Sequence, residues 1–162
     1  MMIDGLPRTL TIVLVVATGM MAGVFFAFST FVMPGLRRLS DEDGLRAMQG
    51  INKAAPASPL FVFFLVGTAV LGVGLAVWAL TDLDEPAAPY LLAGAVLYLV
   101  ALVITGVYHV PRNDALGLVD PTSPGAAEAW RSYYGGWVLW NHVRTLAPLA
   151  STVAYVLALR AT

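Results

Sequence analysis

The chain of 162 residues has no cysteine, which excludes disulfides, thiolate metal centres and cysteine catalysis. Charge is scarce as well: only 12% of residues are Asp, Glu, Lys or Arg, against about a quarter in a soluble domain. The formal net charge of −1 offers no basic surface for nucleic acid. Histidine occurs twice, as His109 and His142, with no His-x-x-x-His or Glu-x-x-His pairing that would suggest a ready metal site. Glycine-rich phosphate loops and a Ser-x-Gly nucleophile elbow are also missing, and the glycines lie mostly inside apolar runs.

What the sequence has instead is apolar length. Hydrophobic residues make up 59% of the chain, and the mean hydropathy is +0.78. Four runs, about 10–33, 60–80, 90–110 and 137–159, each hold the ~20 residues needed to cross a hydrocarbon core of about 30 Å. The expected fold is all-α: an integral membrane four-helix transmembrane bundle with short interfacial helices, forming one domain over residues 1–162. The run after Arg8 is longer than a signal-peptide apolar region and lacks a clear small-x-small cleavage site, so it reads as a retained first span.

The connections carry helix signals. Ser40 with Asp43 three residues later resembles a capping box. Leu45, Met48 and Ile51 then place an apolar stripe on a polar helix, the pattern of a helix lying on the membrane surface. Pro56 and Pro59 end it and open the second span. In the third connection Ser123 is placed to cap a helix with Pro124 at its first position. That helix carries Trp130 and Tyr133, and Gly135-Gly136 is a candidate break before the fourth span. The first connection holds Arg37, Arg38, Arg46 and Lys53, and the third holds Arg112, Arg131 and Arg144. The positive-inside rule then puts the long connections in the cytoplasm and both termini outside the cell membrane. Gly19 and Gly23, four apart on the first span, form a small-residue face suited to the bundle's own packing or to a homo-oligomer.

The polar residues of an apolar span are costly and are therefore usually paired, wet or functional. They concentrate in Trp137-Val-Leu-Trp-Asn-His-Val-Arg144. On helical spacing Trp137, Trp140, Asn141 and Arg144 share one face, His142 points about 100° away from Asn141, and Pro148 leaves the carbonyl of Arg144 without its helical donor. The ends of spans one and three lie on the same side, bringing Asn52, His109, Asn113 and Asp114 toward this stretch.

Four segments in order resemble the anthrone oxygenase-like membrane family. They are Thr18-Gly-x-x-Ala-Gly-x-Phe-Phe-Ala-Phe-Ser-x-x-Val-Met-Pro34, Met48-Gln-x-Ile-Asn52, Val110-Pro-x-Asn-Asp-Ala-Leu116 and Trp140-Asn-His-Val-Arg144. The resemblance implies a four-helix membrane protein. It also implies an oxygenase that converts a hydrophobic polycyclic aromatic substrate, such as an anthrone, with O2 as co-substrate and no cofactor. His109 departs from the family pattern, where Asn is more usual before Val-Pro, which leaves His142 as the motif histidine.

On this reading His142 is the general base, since imidazole exchanges a proton near neutrality. Asn141, Arg144 and Asn113 donate hydrogen bonds to a developing oxyanion. Phe25, Phe28, Phe31, Trp137 and Trp140 hold flat rings, Asn52 reaches the pocket, and Asp114 orients Arg144. Plainer readings stand beside these. His142 and Arg144 fit the headgroup zone, Asn113 and Asn52 fit helix caps, and the aromatics fit an interfacial belt. A membrane protein that only binds a lipophilic ligand is the second function class. A haem or metal held by His142 with His109 or an Asp is the third.

Overall fold

The structure, a computed structural model, describes residues 4–161. It is built from five helices: α1 Gly5–Leu36, α2 Asp41–Ala57, α3 Pro59–Ala79, α4 Ala88–Gly117 and α5 Ala126–Arg160. No strand occurs among the described residues. The all-α class is as expected, and α1, α3, α4 and α5 are each long and apolar enough to cross a membrane. α5 packs chiefly against α1 and α4, and α3 closes the bundle against α4 and α1.

Local chemistry sets several helix ends where the sequence places them. Asp43 N–H donates to Ser40 Oγ at 3.1 Å, and Ser40 Oγ–H donates back to Asp43 Oδ2 at 2.6 Å, closing the capping box of α2. Ser58 Oγ accepts from Phe61 N–H at 3.3 Å, and Pro59 takes the first helical position of α3.

Three helices run further than the sequence suggests. α1 continues through Pro34 to Leu36. α4 continues past Val110 to Gly117, so Asn113 sits inside a helix and caps nothing. α5 is one piece of 35 residues that passes through Gly135-Gly136 and Pro148. It begins at Ala126 rather than at Pro124, because Ser123 Oγ–H is engaged with Asp120 O at 2.7 Å in the preceding turn. In that turn the Thr122 N–H, and then its hydroxyl, donate to the Asp120 carboxylate and hold it below its ordinary range. A glycine inside a helix costs about 1 kcal/mol against alanine. Burial of Trp130, Tyr133 and Trp137 on one face of α5 outweighs two such terms.

These lengths give the molecule a cap. At 1.5 Å per residue α5 is about 52 Å long, well beyond a hydrocarbon core of about 30 Å. Its first turns stand beyond the core with the C-terminal ends of α1 and α4, and α2 packs across them. Met33, Leu45, Met48, Leu116, Trp130 and Trp137 form the core of this cap. At the opposite end Leu14, Leu75, Leu91 and Tyr155 pack together. There a β-carbon on Gly94 would fall 2.7 Å from the Tyr155 ring, so glycine is what lets α4 and α5 close. The small-residue face of α1 divides: Gly19 lies against Thr152 of α5, with Thr18 Oγ1 2.8 Å from Thr152 Oγ1, whereas Gly23 is exposed.

Two helices change gauge where they meet the cap. Phe28–Val32 of α1 and Thr105–His109 of α4 are π-helical turns: Met33 N–H reaches back five residues to Phe28 O, and Val110 N–H to Thr105 O. Such turns carry one extra residue and are frequent at functional sites.

Candidate functional site

Between the cap and the membrane bundle lies a cavity of about 500 Å³, to which all five helices contribute. Phe25 and Phe28 of α1, Phe61 and Leu65 of α3 and Trp137 of α5 give it an apolar body, and Met48 and Asn52 of α2 form its roof. Phe28 and Trp137 are 5.9 Å apart between ring centroids. The polar side is supplied by α4 and α5, through Thr105, His109, Asn113, Asp114 and Arg144. Among the lining residues, Val62 and Val66 of α3 and Val110 of α4 are exposed on the outer surface of the helices, and Pro56 of α2 and Asp114 of α4 are exposed at the cap. The cavity therefore reaches the bundle's lipid-facing wall between α3 and α4.

The polar side is ordered by a buried network whose donors and acceptors can be assigned. Arg144 only donates, so the Asn141 atom 3.1 Å from its Nε and 2.7 Å from its terminal Nη2 must be the carboxamide oxygen. That fixes Asn141 Nδ2 toward α1, where it donates to Phe25 O and to Ser29 Oγ, each at 2.7 Å. Arg144 Nη1 donates to Thr105 Oγ1 at 3.2 Å. The guanidinium lies 4.3 Å from the Phe25 ring centroid and 5.5 Å from that of Trp137. Both π turns thus feed the network, one through Ser29 and the other through Thr105.

A second network lies toward the cap. Trp137 Nε1–H, which can only donate, is 3.1 Å from Asn113 Oδ1, and the Tyr133 hydroxyl donates to the same oxygen at 2.8 Å. With its oxygen taken twice, Asn113 keeps its NH2 for the cavity. The Tyr133 hydroxyl accepts from Asn52 Nδ2 over a long 3.5 Å. His109 is fully buried between the two networks. Its Nδ1 is 3.3 Å from Ile104 O, its Nε2 is 3.4 Å from Trp137 O, and its ring stands edge-on to Trp137 at 5.0 Å.

Of the residues singled out in the sequence, Phe25, Phe28, Asn52, Asn113, Asp114, Trp137 and Arg144 line the cavity. Asn141 is fully buried directly behind Arg144. Three residues are not brought to it. His142 is exposed on the outer face of α5, because with Asn141 and Arg144 inward a residue about 100° on must face out. Trp140, at the edge of the same face, is 40% exposed and leans on Tyr108 at 5.2 Å. Phe31 is 64% exposed. The Phe25/Phe28/Phe31 spacing assumes an α-helix, and the π turn rotates Phe31 outward and Ser29 inward.

The expected Asp114–Arg144 pair is also not formed. α4 and α5 run antiparallel, with Thr105 opposite Arg144 and Asn113 opposite Tyr133. That register carries Asp114 about 15 Å along the helices from Arg144. Among the described residues no three of His, Asp or Glu gather to hold a metal. His109 and His142, one buried and one exposed, do not converge on a shared haem or metal. The cavity imidazole is His109, the histidine set aside in the sequence. Thr105, His109 and Asn113 recur every four residues, a one-sided polar stripe at the end of an apolar run that signals their role.

Compared with known proteins, the chain matches the sequence model of a family described as anthrone oxygenase over residues 60–154, more than half its length. No curated protein and no solved structure matches it. The matched segment carries α3, α4 and most of α5, and with them His109, Asn113, Trp137, Asn141 and Arg144.

Proposed function

The chain belongs to the anthrone oxygenase family, and from that premise we propose that it oxidises a hydrophobic, polycyclic aromatic substrate with O2, using no cofactor. The observation that carries this reading is the cavity: an aromatic body with an imidazole, a carboxamide and a guanidinium along one side. A flat substrate stacks among Phe25, Phe28 and Trp137. Its reactive carbon, an acidic CH2 between two rings, faces His109.

His109 takes the first proton. A neutral imidazole can donate to only one of the two carbonyls facing its ring nitrogens, so the ring turns its unprotonated nitrogen from the other carbonyl toward the substrate to receive the proton. On turning back, the new N–H finds that carbonyl as its acceptor. The enolate left behind bears its charge on the ring oxygen, where the free NH2 of Asn113 donates to it. O2, which is apolar enough to enter from the bilayer, adds to the electron-rich carbon. The peroxide anion so formed takes the proton back from His109, and the hydroperoxide then loses water to leave a ketone, so one oxygen atom ends in the product and the other in water. Asn141 does not touch the substrate; it holds Arg144 in place.

The test is anthrone-to-anthraquinone conversion by detergent-purified protein, followed by absorbance against a buffer control. Wild type is expected well above buffer, with His109→Gln slower by about 10²-fold or more. The purified protein is expected to show no haem band. A rate equal to buffer in protein that nevertheless binds the ligand would favour a non-catalytic carrier of lipophilic molecules.

A further inference from the structure

We infer that the ligand of this cavity carries a formal negative charge before any reaction, a carboxylate or an equally ionised acid group on the polycyclic body, and that Arg144 is its counter-charge. The inference rests on the aromatic-ligand reading above.

Arg144 is buried at the inner end of the cavity, 8% exposed. Its polar partners are all neutral: the Asn141 oxygen and the Thr105 hydroxyl, with the ring faces of Phe25 and Trp137 beside it. Among the described residues the ion pairs are Arg46–Glu42 and Arg131–Asp41, both at the surface. The carboxylate on the cavity wall, Asp114, is held away by the register of α4 against α5. A cation taken out of water into an apolar bundle is costly unless something pairs with it.

The donor count points the same way. A guanidinium has five N–H groups in a fixed fork. Three are engaged, one from Nε, one from Nη2 and one from Nη1, which leaves two. Asn141 itself is pinned to α1 by two 2.7 Å bonds, so the fork is held rather than free to snorkel. A fixed, uncompensated cation with spare donors at the end of an aromatic slot complements a planar, amphiphilic anion. A bidentate carboxylate is the group whose geometry matches that fork. A guanidinium serving only to brace the helices would make no distinction between a charged ligand and its neutral isostere.

The experiment compares 9-anthracenecarboxylate with 9-anthracenecarboxamide, which have the same shape and differ in charge. Binding is read from quenching of protein tryptophan fluorescence in neutral maltoside detergent. On wild type the carboxylate is expected to bind at least tenfold more tightly. In Arg144→Gln the preference is expected to fall below twofold. Arg144→Lys, which keeps the charge, is expected to retain part of the preference and serves if the glutamine variant does not fold. Equal affinities on wild type would overturn the inference and leave the aromatic-ligand reading standing. A preference that survives Arg144→Gln would overturn it as well, since the anion would then be held elsewhere. Failure of both probes to bind would overturn the aromatic-ligand reading and the inference together.

Discussion

At the residue scale, the site turns on which of two neighbouring side chains faces inward. Asn141 and Arg144 are legible in the sequence because polar groups inside an apolar run need partners, and their spacing puts them on one face. His142 stands out equally as a residue type, yet it is exposed, and only the direction of the α5 face decides this. His142→Ala should therefore leave the turnover of purified protein within about twofold of wild type, whereas His109→Gln should lose most of it. Asn141 is the residue whose loss reaches furthest. Asn141→Leu removes the acceptor of Arg144 Nε and Nη2, and the donor to Ser29 Oγ and Phe25 O. Orphaned buried polar groups cost about 1–3 kcal/mol each. The variant should be destabilised by about 3 kcal/mol or more, measured as a lower unfolding midpoint in detergent.

At the element scale, the helices are legible from apolar length, and those of their ends that local cap chemistry sets are legible with them; the ends set by distant packing are not. The capping box at Ser40 and the break at Ser58-Pro59 depend on neighbours in sequence, so they could be read directly. The continuity of α5 through Gly135-Gly136, and of α4 through Asn113, depends on partners far along the chain: Trp130, Tyr133 and Trp137 in the cap. The π turns were invisible for the same reason, since their polar groups are satisfied by Asn141 and Arg144 on another helix. The tightest crossing is at Gly94. Gly94→Val would drive a branched side chain into the Tyr155 ring, and overpacking of that kind costs roughly 1–3 kcal/mol. A lowered thermal midpoint is expected. Gly23→Val should change little, because nothing lies within 4 Å of a β-carbon there.

At the scale of the whole molecule, four apolar helices fit a membrane protein, and the cavity sits where the bundle meets its cap. The proposed orientation places the cap and its Arg-rich connections in the cytoplasm and both termini outside. Arg144 is buried and does not contribute to that bias, which the remaining Arg and Lys of both connections still carry. Because the chain has no cysteine, single cysteines can report the topology. Asp84→Cys, in the turn between α3 and α4, should react with a membrane-impermeant maleimide on intact cells. Glu128→Cys, at the start of α5, should react only after permeabilisation. The reverse pattern would invert the orientation.

Each π turn also records a single inserted residue in a helix that could otherwise have been straight. Deleting one residue within Thr105–His109 would relax α4 to ordinary pitch and turn everything beyond it by about 100°, carrying Asn113 off the cavity wall while the span still crossed the bilayer. Two such insertions, on helices far apart in the chain, end at one cavity. Kin that lack either one should align with a one-residue gap there, and should have had to find another way to line the chamber.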